Sequence, residues 1–220
     1  MDPIAGGALD ETWLRDSFRS AALEASRASL DDSALGDHAL NPGTFPDRRL
    51  RRAAVLVPVV GREDGLSILF TRRTDHLHHH AGQISFPGGR VEEGDTSLED
   101  TALRETEEEC GLDRRHISLL GRLDDYVTRT GFRITPVVGL VHPPFGLNPD
   151  TFEVAEIFEV PLAFLLDPAN RVRESRRFEG TTRYFHAFPY GDYFIWGATA
   201  GMLVNLVSRL APGQGAGEPD

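Results

Sequence analysis

Between Arg104 and Gly111, four of the five positions from 105 to 109 are glutamate: Glu105, Glu107, Glu108 and Glu109. On a helix, residues three and four apart share a face, so Glu105, Glu108 and Glu109 converge on one side while Glu107 points elsewhere. Like charges at that spacing repel, and acid at the C-terminal end of a helix opposes the macrodipole. Helix stability alone therefore does not call for this run. A charge run is most often a solvated face, but three carboxylates on one rigid face are also the donor set of the hard cations Mg²⁺ and Mn²⁺. Such ions keep several waters and meet substrate phosphates directly, which makes this an arrangement for phosphoryl chemistry. Arg104, one turn before Glu108, can brace the glutamates through a salt bridge.

These side chains need a helix from about residue 97 to 110, stopped by Gly111 as a left-handed cap. Just before it, the run QISF enters Pro87-Gly88-Gly89, a sharp turn able to expose its backbone amides. The β-branched segments AAVLVPVV and LSILFTRR flank a turn at Asp64-Gly65 and predict an antiparallel hairpin. Further strands are expected at 117 to 123, 133 to 141 and 156 to 160, with a second hairpin around Pro189-Tyr190-Gly191-Asp192. Apolar spacing predicts a closing helix from Ala198 to Leu210 and an amphipathic helix within residues 9 to 27, carrying Leu14, Phe18, Ala21, Ala22 and Ala25. Residues 31 to 47 are rich in turn formers and read as a surface loop. Strands and helices interleave without a βαβ rhythm, which points to an α/β fold with a mixed β-sheet sandwiched between α-helices. The expected division is a helical extension and loop over 1–48, one main domain over 49–211, and a disordered tail over 212–220.

With 220 residues and 40% apolar content, the chain can bury one sizeable core. Its net charge of −11 argues against a broad polyanion-binding surface, so nucleic acid is not an expected partner. A small phosphorylated ligand remains compatible, because a few arginines and a cation reverse the potential locally. Cys110 is the single cysteine, so no internal disulfide framework can form. No apolar run approaches the roughly 18 residues that would span a bilayer. A cytoplasmic monomer or homodimer without membrane attachment is the expectation.

Residues 88 to 112, GGRVEEGDTSLEDTALRETEEECGL, resemble the Nudix box, G-x5-E-x7-R-E-U-x-E-E-x-G-U with U aliphatic. With Gly89 as the first glycine, Asp95 stands at the first glutamate, one extra residue precedes Arg104, and Thr106 replaces an aliphatic residue. The lengthened box and the run TALRE at 101 to 105 are similar to the coenzyme A pyrophosphatase branch of the Nudix family. That branch carries an upstream signature, L-L-T-x-R-[S/T]-x3-R-x3-G-x3-F-P-G-G, which residues 69 to 89 resemble, with His78 at the second arginine.

The resemblance implies a Nudix fold and a metal-dependent pyrophosphatase that uses Mg²⁺ or Mn²⁺. It would cleave CoA or acyl-CoA into 3′,5′-ADP and (acyl-)4′-phosphopantetheine. It assigns metal binding to Glu105, Glu108 and Glu109, and catalytic roles to Glu109, Glu108 and Arg104. Glu109 leads as the group that deprotonates water, with Glu153 and Glu156 as the other candidates. Gly88, Gly89, His78 and Arg72 are the implied substrate contacts. Arg72 and Arg73 end one strand, so by alternation only one faces the site, and Arg72 is assigned that place. Arg129 and Arg133 could hold a 3′-phosphate, but solvated loop arginines are the reading preferred for them. Trp13, Phe18, Phe132, Phe185 and Trp196 are available to stack on adenine, but such residues more often fill a core. His76, His78, His79 and His80 read as a surface loop before they read as a metal site. The alternatives are a hydrolase of another nucleoside diphosphate derivative, such as ADP-ribose, a dinucleoside polyphosphate or a damaged nucleotide, and a Nudix nucleotide-binding module without catalysis.

Overall fold

The computed structural model describes residues 9–25, 35–46, 49–76, 82–178 and 180–212. The chain opens with α1 (Glu11–Ala25), a short strand β1 (Leu35–Gly36) and one helical turn, α2 (Asp37–Leu40). The long strands β2 (Arg51–Arg62) and β3 (Gly65–Arg73) form the hairpin expected around Asp64-Gly65, closing at the pair Arg62 and Gly65. Two short strands, β4 (Ile84–Ser85) and β5 (Gly88–Arg90), lead into α3 (Leu98–Cys110). Then come β6 (Ile117–Arg122), β7 (Tyr126–Val127), β8 (Phe132–Val141), β9 (Val154–Pro161) and α4 (Leu162–Leu166). The chain finishes with β10 (Val172–Phe178), β11 (Thr181–Tyr190), β12 (Tyr193–Trp196) and α5 (Gly197–Leu210).

The first nine strands form one sheet, in which β2 runs parallel to β8 and antiparallel to β3 and β5. It is a mixed sheet with helices on both faces. Val55, Val57 and Val59 of β2 look toward α5 and α1, joining Leu14, Phe18, Leu203 and Leu206. Ala54 and Leu56 look the other way, onto Leu98 and Ala102 of α3. Because both faces are covered, β2 reads as an unbroken apolar run rather than as an alternating one.

Two parts of the chain depart from the expectation. The segment read as a surface loop holds β1 and α2 within its described part. It is tied down because Asp37 accepts from the Tyr126 hydroxyl at 2.8 Å and from the Arg129 amide at 2.9 Å. Residues 172–178, where no strand was expected, form β10, which pairs with β11 and, through it, β12 in a separate three-stranded sheet. The sequence VRESRRF has no apolar alternation to announce a strand, and β10 is held by its ladder rather than by burial. The tail from 213 onward lies outside the described residues.

Among the described residues no helix is long and apolar enough to cross a membrane.

Candidate active site

α3 starts where the Ser97 side chain accepts from the Asp100 amide at 3.1 Å and stops at Gly111, whose φ of 64° only glycine adopts freely. Thr106, at an aliphatic position of the box, is fully buried and returns its hydroxyl to the Ala102 carbonyl at 2.7 Å. That local bond removes the cost of burying the hydroxyl. The helix thereby carries Glu105 and Glu109 to the turn formed by Gly88 and Gly89, while Glu108, 60% exposed, meets Arg104.

Arg104 organises this face with every donor it has. Its Nε and Nη2 grip Asp95 at 2.8 and 3.1 Å, and Nη2 also reaches the Arg90 carbonyl at 3.2 Å. Nη1 donates to Glu105 at 2.9 Å and to Glu108 at 3.0 Å. The Asp95 side chain is only 3% exposed. Its contact with Arg104, reinforced by the Glu92 amide and the Thr101 hydroxyl, holds its carboxyl far below the usual range. The aspartate at the box's first acidic position thus anchors the arginine.

Glu109 is buried between two groups: its Oε2 takes the Gly88 amide at 3.3 Å, and its Oε1 lies 3.6 Å from Arg73 Nη1. Desolvation pushes its carboxyl up to about 8, against the opposing pull of Arg73 and the Gly88 amide. Burial also raises Glu105, in spite of Arg104. Glu153 holds the other side of Arg73 at 3.3 Å.

The two strand-end arginines are exchanged relative to expectation. Arg73 reaches Glu109, whereas Arg72 lies opposite Glu156 and pairs with it at 3.1 Å, with the Tyr193 hydroxyl on the same carboxylate at 2.6 Å. Phe70, two residues before Arg72, packs in the core on the α5 side, so Arg72 and Glu156 face away from the α3 glutamates. The signature itself carried the signal: counted from Leu69, its fixed arginine falls on Arg73. His78 and its neighbours His79 and His80 lie outside the described residues, while His76 packs against the Phe152 ring at 5.0 Å.

A cavity of about 510 Å³ begins at Arg73 and Gly88, the two groups that touch Glu109. It runs along the sheet past Val55 and Phe132, with the β10–β12 sheet and the first turn of α5 as its far walls. Phe132, Phe185 and Trp196 line it, whereas Phe18 is a core residue and Trp13 packs against that core. Arg129 lines it as well, while Arg133 pairs with Asp125 at 2.7 Å. Phe185 of β11 and Trp196 of β12 were expected candidates for stacking; Arg176 and Phe178 of β10 and Arg183 and Tyr184 of β11 also line this wall without having been expected.

The NUDIX domain profile matches residues 50–178 of this chain. A Yersinia pestis (strain Pestoides F) protein named Uncharacterized Nudix hydrolase NudL is 37% identical over 175 residues, covering 80% of this chain and 87% of that protein. The chain belongs to the Nudix family. It is a Nudix hydrolase, acting on pyrophosphate bonds of nucleoside diphosphate derivatives. Similar solved structures include the NUDIX domain of Shewanella oneidensis NrtR complexed with ADP ribose, at 23% identity over 59% of this chain and 84% of that one, with a TM-score of 0.41. RenU, a Nudix hydrolase from M. smegmatis, is 21% identical over 52% of this chain and 72% of that one, with a TM-score of 0.44.

Nudix hydrolases generally use divalent metal ions; among the described residues no three side chains are grouped as metal ligands, and Glu105, Glu108 and Glu109 offer the donor type without an assembled site. The donors are all carboxylate oxygens. A Cβ on Gly89 would fall 2.4 Å from the carboxyl carbon of Glu105, so only glycine leaves that carboxylate its place. Arg104 Nη1, bound by Glu105 and Glu108 together, marks where those two carboxylates already share positive charge.

Proposed function

We propose that this Nudix hydrolase is a CoA or acyl-CoA diphosphatase. The observation that supports it is that one segment does two jobs. Residues 69 to 89, which resemble the CoA-branch signature, supply Arg73 and Gly88 to Glu109 and also furnish the cavity wall at Gln83, Ile84, Ser85 and Phe86. A signature tied to one substrate class is expected where bound substrate and glutamates meet.

In this reading Glu105, Glu108 and Glu109 hold Mg²⁺ or Mn²⁺, and Arg104, fixed by Asp95, keeps Glu105 and Glu108 in register. The bound ion supplies charge neutralisation on the diphosphate and acidification of the attacking water. Arg73, presented at the mouth of the cavity, draws the diphosphate toward Glu109. Glu109 is the first candidate to take the proton from water, and Glu153, which shares Arg73 with it, is the second. The water oxygen bonds to one phosphorus as the bridging P–O bond breaks. With CoA the products are 3′,5′-ADP and 4′-phosphopantetheine.

Incubation of the pure protein with CoA and either metal should release 3′,5′-ADP. If ADP-ribose or a dinucleoside polyphosphate is turned over and CoA is untouched under both metals, the substrate reading is rejected.

A further inference from the structure

The inner face of the β10–β12 sheet brings arginines to the cavity beside Phe185 and Trp196. In the β10–β11 register, Arg176 stands directly opposite Arg183, so the two guanidinium groups project from the same face. Like charges placed directly opposite destabilise a sheet pair unless something lies between or over them. Arg129, from the turn after β7, joins them: its guanidinium sits 4.8 Å from the Phe178 ring, and that of Arg183 sits 5.6 Å from the same ring. The Nε of Arg183 is buried without a hydrogen-bond partner. Among the described residues, none of the three arginines is ion-paired with a carboxylate. Asp37, the one acid in the cavity wall, accepts from the Tyr126 hydroxyl and the Arg129 amide and forms no ion pair with the three, so it offsets part of their charge only at a distance. Three arginines outnumber the carboxylates near them, Asp37 in the wall and Glu174 on the same face of β10, so in a chain of net charge −11 this end of the cavity is locally positive.

This site is separate from the glutamates. Gly88 pairs with Val55 and Phe132 with Arg51, so the two ends of the cavity lie four residues apart along β2, roughly 13 Å at strand rise. That is a backbone separation, longer than the span between the 5′- and 3′-phosphates of one ribose, and the arginine side chains, which line the same cavity as Arg73, reach in from that end. An anion held by the arginines while a diphosphate lies at Arg73 therefore belongs to the nucleoside end of the same molecule.

We propose that Arg129, Arg176 and Arg183 form a second phosphate site, which selects substrates carrying a phosphomonoester on the ribose in addition to the diphosphate. The proposal deepens, and rests on, the CoA reading, since CoA bears such a group and ADP-ribose does not. The arginines set specificity and take no part in bond cleavage. Guanidinium groups suit this task because each offers paired donors to phosphate oxygens in a fixed fork.

The test separates the two ideas by measuring binding without turnover. In calorimetry with metal chelated, the full chain should bind 3′,5′-ADP roughly tenfold or more tightly than 5′-AMP, since the extra phosphate gains charge-assisted bonds. The Arg176→Ala, Arg183→Ala double variant should lose that preference while its affinity for 5′-AMP stays the same. Equal affinities in the parent, or a preference that survives in the double variant, overturn the site. Turnover of CoA against 3′-dephospho-CoA is read separately. A parent that prefers 3′,5′-ADP yet fails to cleave CoA keeps the arginine site and loses the CoA reading. A parent that cleaves both compounds with the same KM, without preferring 3′,5′-ADP, keeps diphosphatase activity and loses the site.

Discussion

Replacing Asp95 by asparagine isolates the anchor of the glutamate face with almost no change in shape. Asp95 accepts four hydrogen bonds, from Arg104 Nε and Nη2, the Glu92 amide and the Thr101 hydroxyl. Asparagine has one acceptor oxygen. If that oxygen serves Glu92 and Thr101, the amide nitrogen meets Arg104 Nε donor to donor, and both charge-assisted bonds to the guanidinium are weakened or lost. Bonds to charged groups are worth about 1.5–3 kcal/mol each, and partial hydration of Arg104 reduces the pair to a total of about 3 kcal/mol. For a domain of this size that corresponds to a fall in Tm of roughly 6–12 °C. The pH dependence carries its own sign. The folded-state carboxyl of Asp95 lies far below its unfolded value of about 3.9, so its stabilisation is complete above that pH and fades as pH falls toward the folded value. Urea melts of parent and variant should therefore differ by a constant amount from about pH 5 to 8 and converge below about pH 4. A variant within about 0.5 kcal/mol of the parent at pH 7 would refute the anchoring role, because surface substitutions routinely fall in that range.

Other substitutions test the neighbouring parts. Gly89→Ala should leave Tm nearly unchanged, since the clash is with the mobile end of Glu105, but should raise the metal concentration needed for half-maximal activity; Gly88→Ala meets the Ala54 carbonyl oxygen and Val55 Cα at 2.5 Å and should cost stability instead, both checked by melting and metal titration. Arg73→Ala should lower kcat/KM by roughly 10- to 100-fold, while Arg72→Ala stays within a few-fold; the reverse order in steady-state kinetics would restore Arg72 to the site. Glu109→Gln should reduce kcat by roughly 10²–10⁴-fold with the melting curve intact, and by more than Glu153→Gln does; a larger loss in Glu153→Gln would make Glu153 the proton acceptor.

Much of the architecture could be read from patterns with one dominant cause. The β2–β3 hairpin followed from two apolar runs around Asp64-Gly65, and α3 followed from its acidic stripe and Gly111. Where two causes compete, local pattern gives the wrong answer. Turn formers around Asn41-Pro42-Gly43 argue for a loop, yet Asp37 answers a buried tyrosine hydroxyl some ninety residues later, and that tertiary bond fixes α2. β10 shows the opposite case, a strand with polar residues on both sides, whose cause is its partner's ladder and not its own pattern.

The glutamates and the arginine wall differ in the same way. Glu105, Glu108 and Glu109 are neighbours because a helix makes them so, and helical spacing is written into the order of residues. Arg72 and Arg73 already test that logic. Alternation says that one of them faces in, but which one depends on the register against β9, and that register shifts between these two residues. Arg129, Arg176 and Arg183 go further: they come from two segments far apart in sequence, and only the antiparallel register of β10 on β11 sets Arg176 beside Arg183. No spacing rule within one element could have joined them. A cluster that needs only one rigid element is therefore legible in sequence from spacing; the substrate class enters the sequence reading only through the resemblance of residues 69 to 89 to a known signature, and a wall assembled from distant segments becomes legible only in three dimensions.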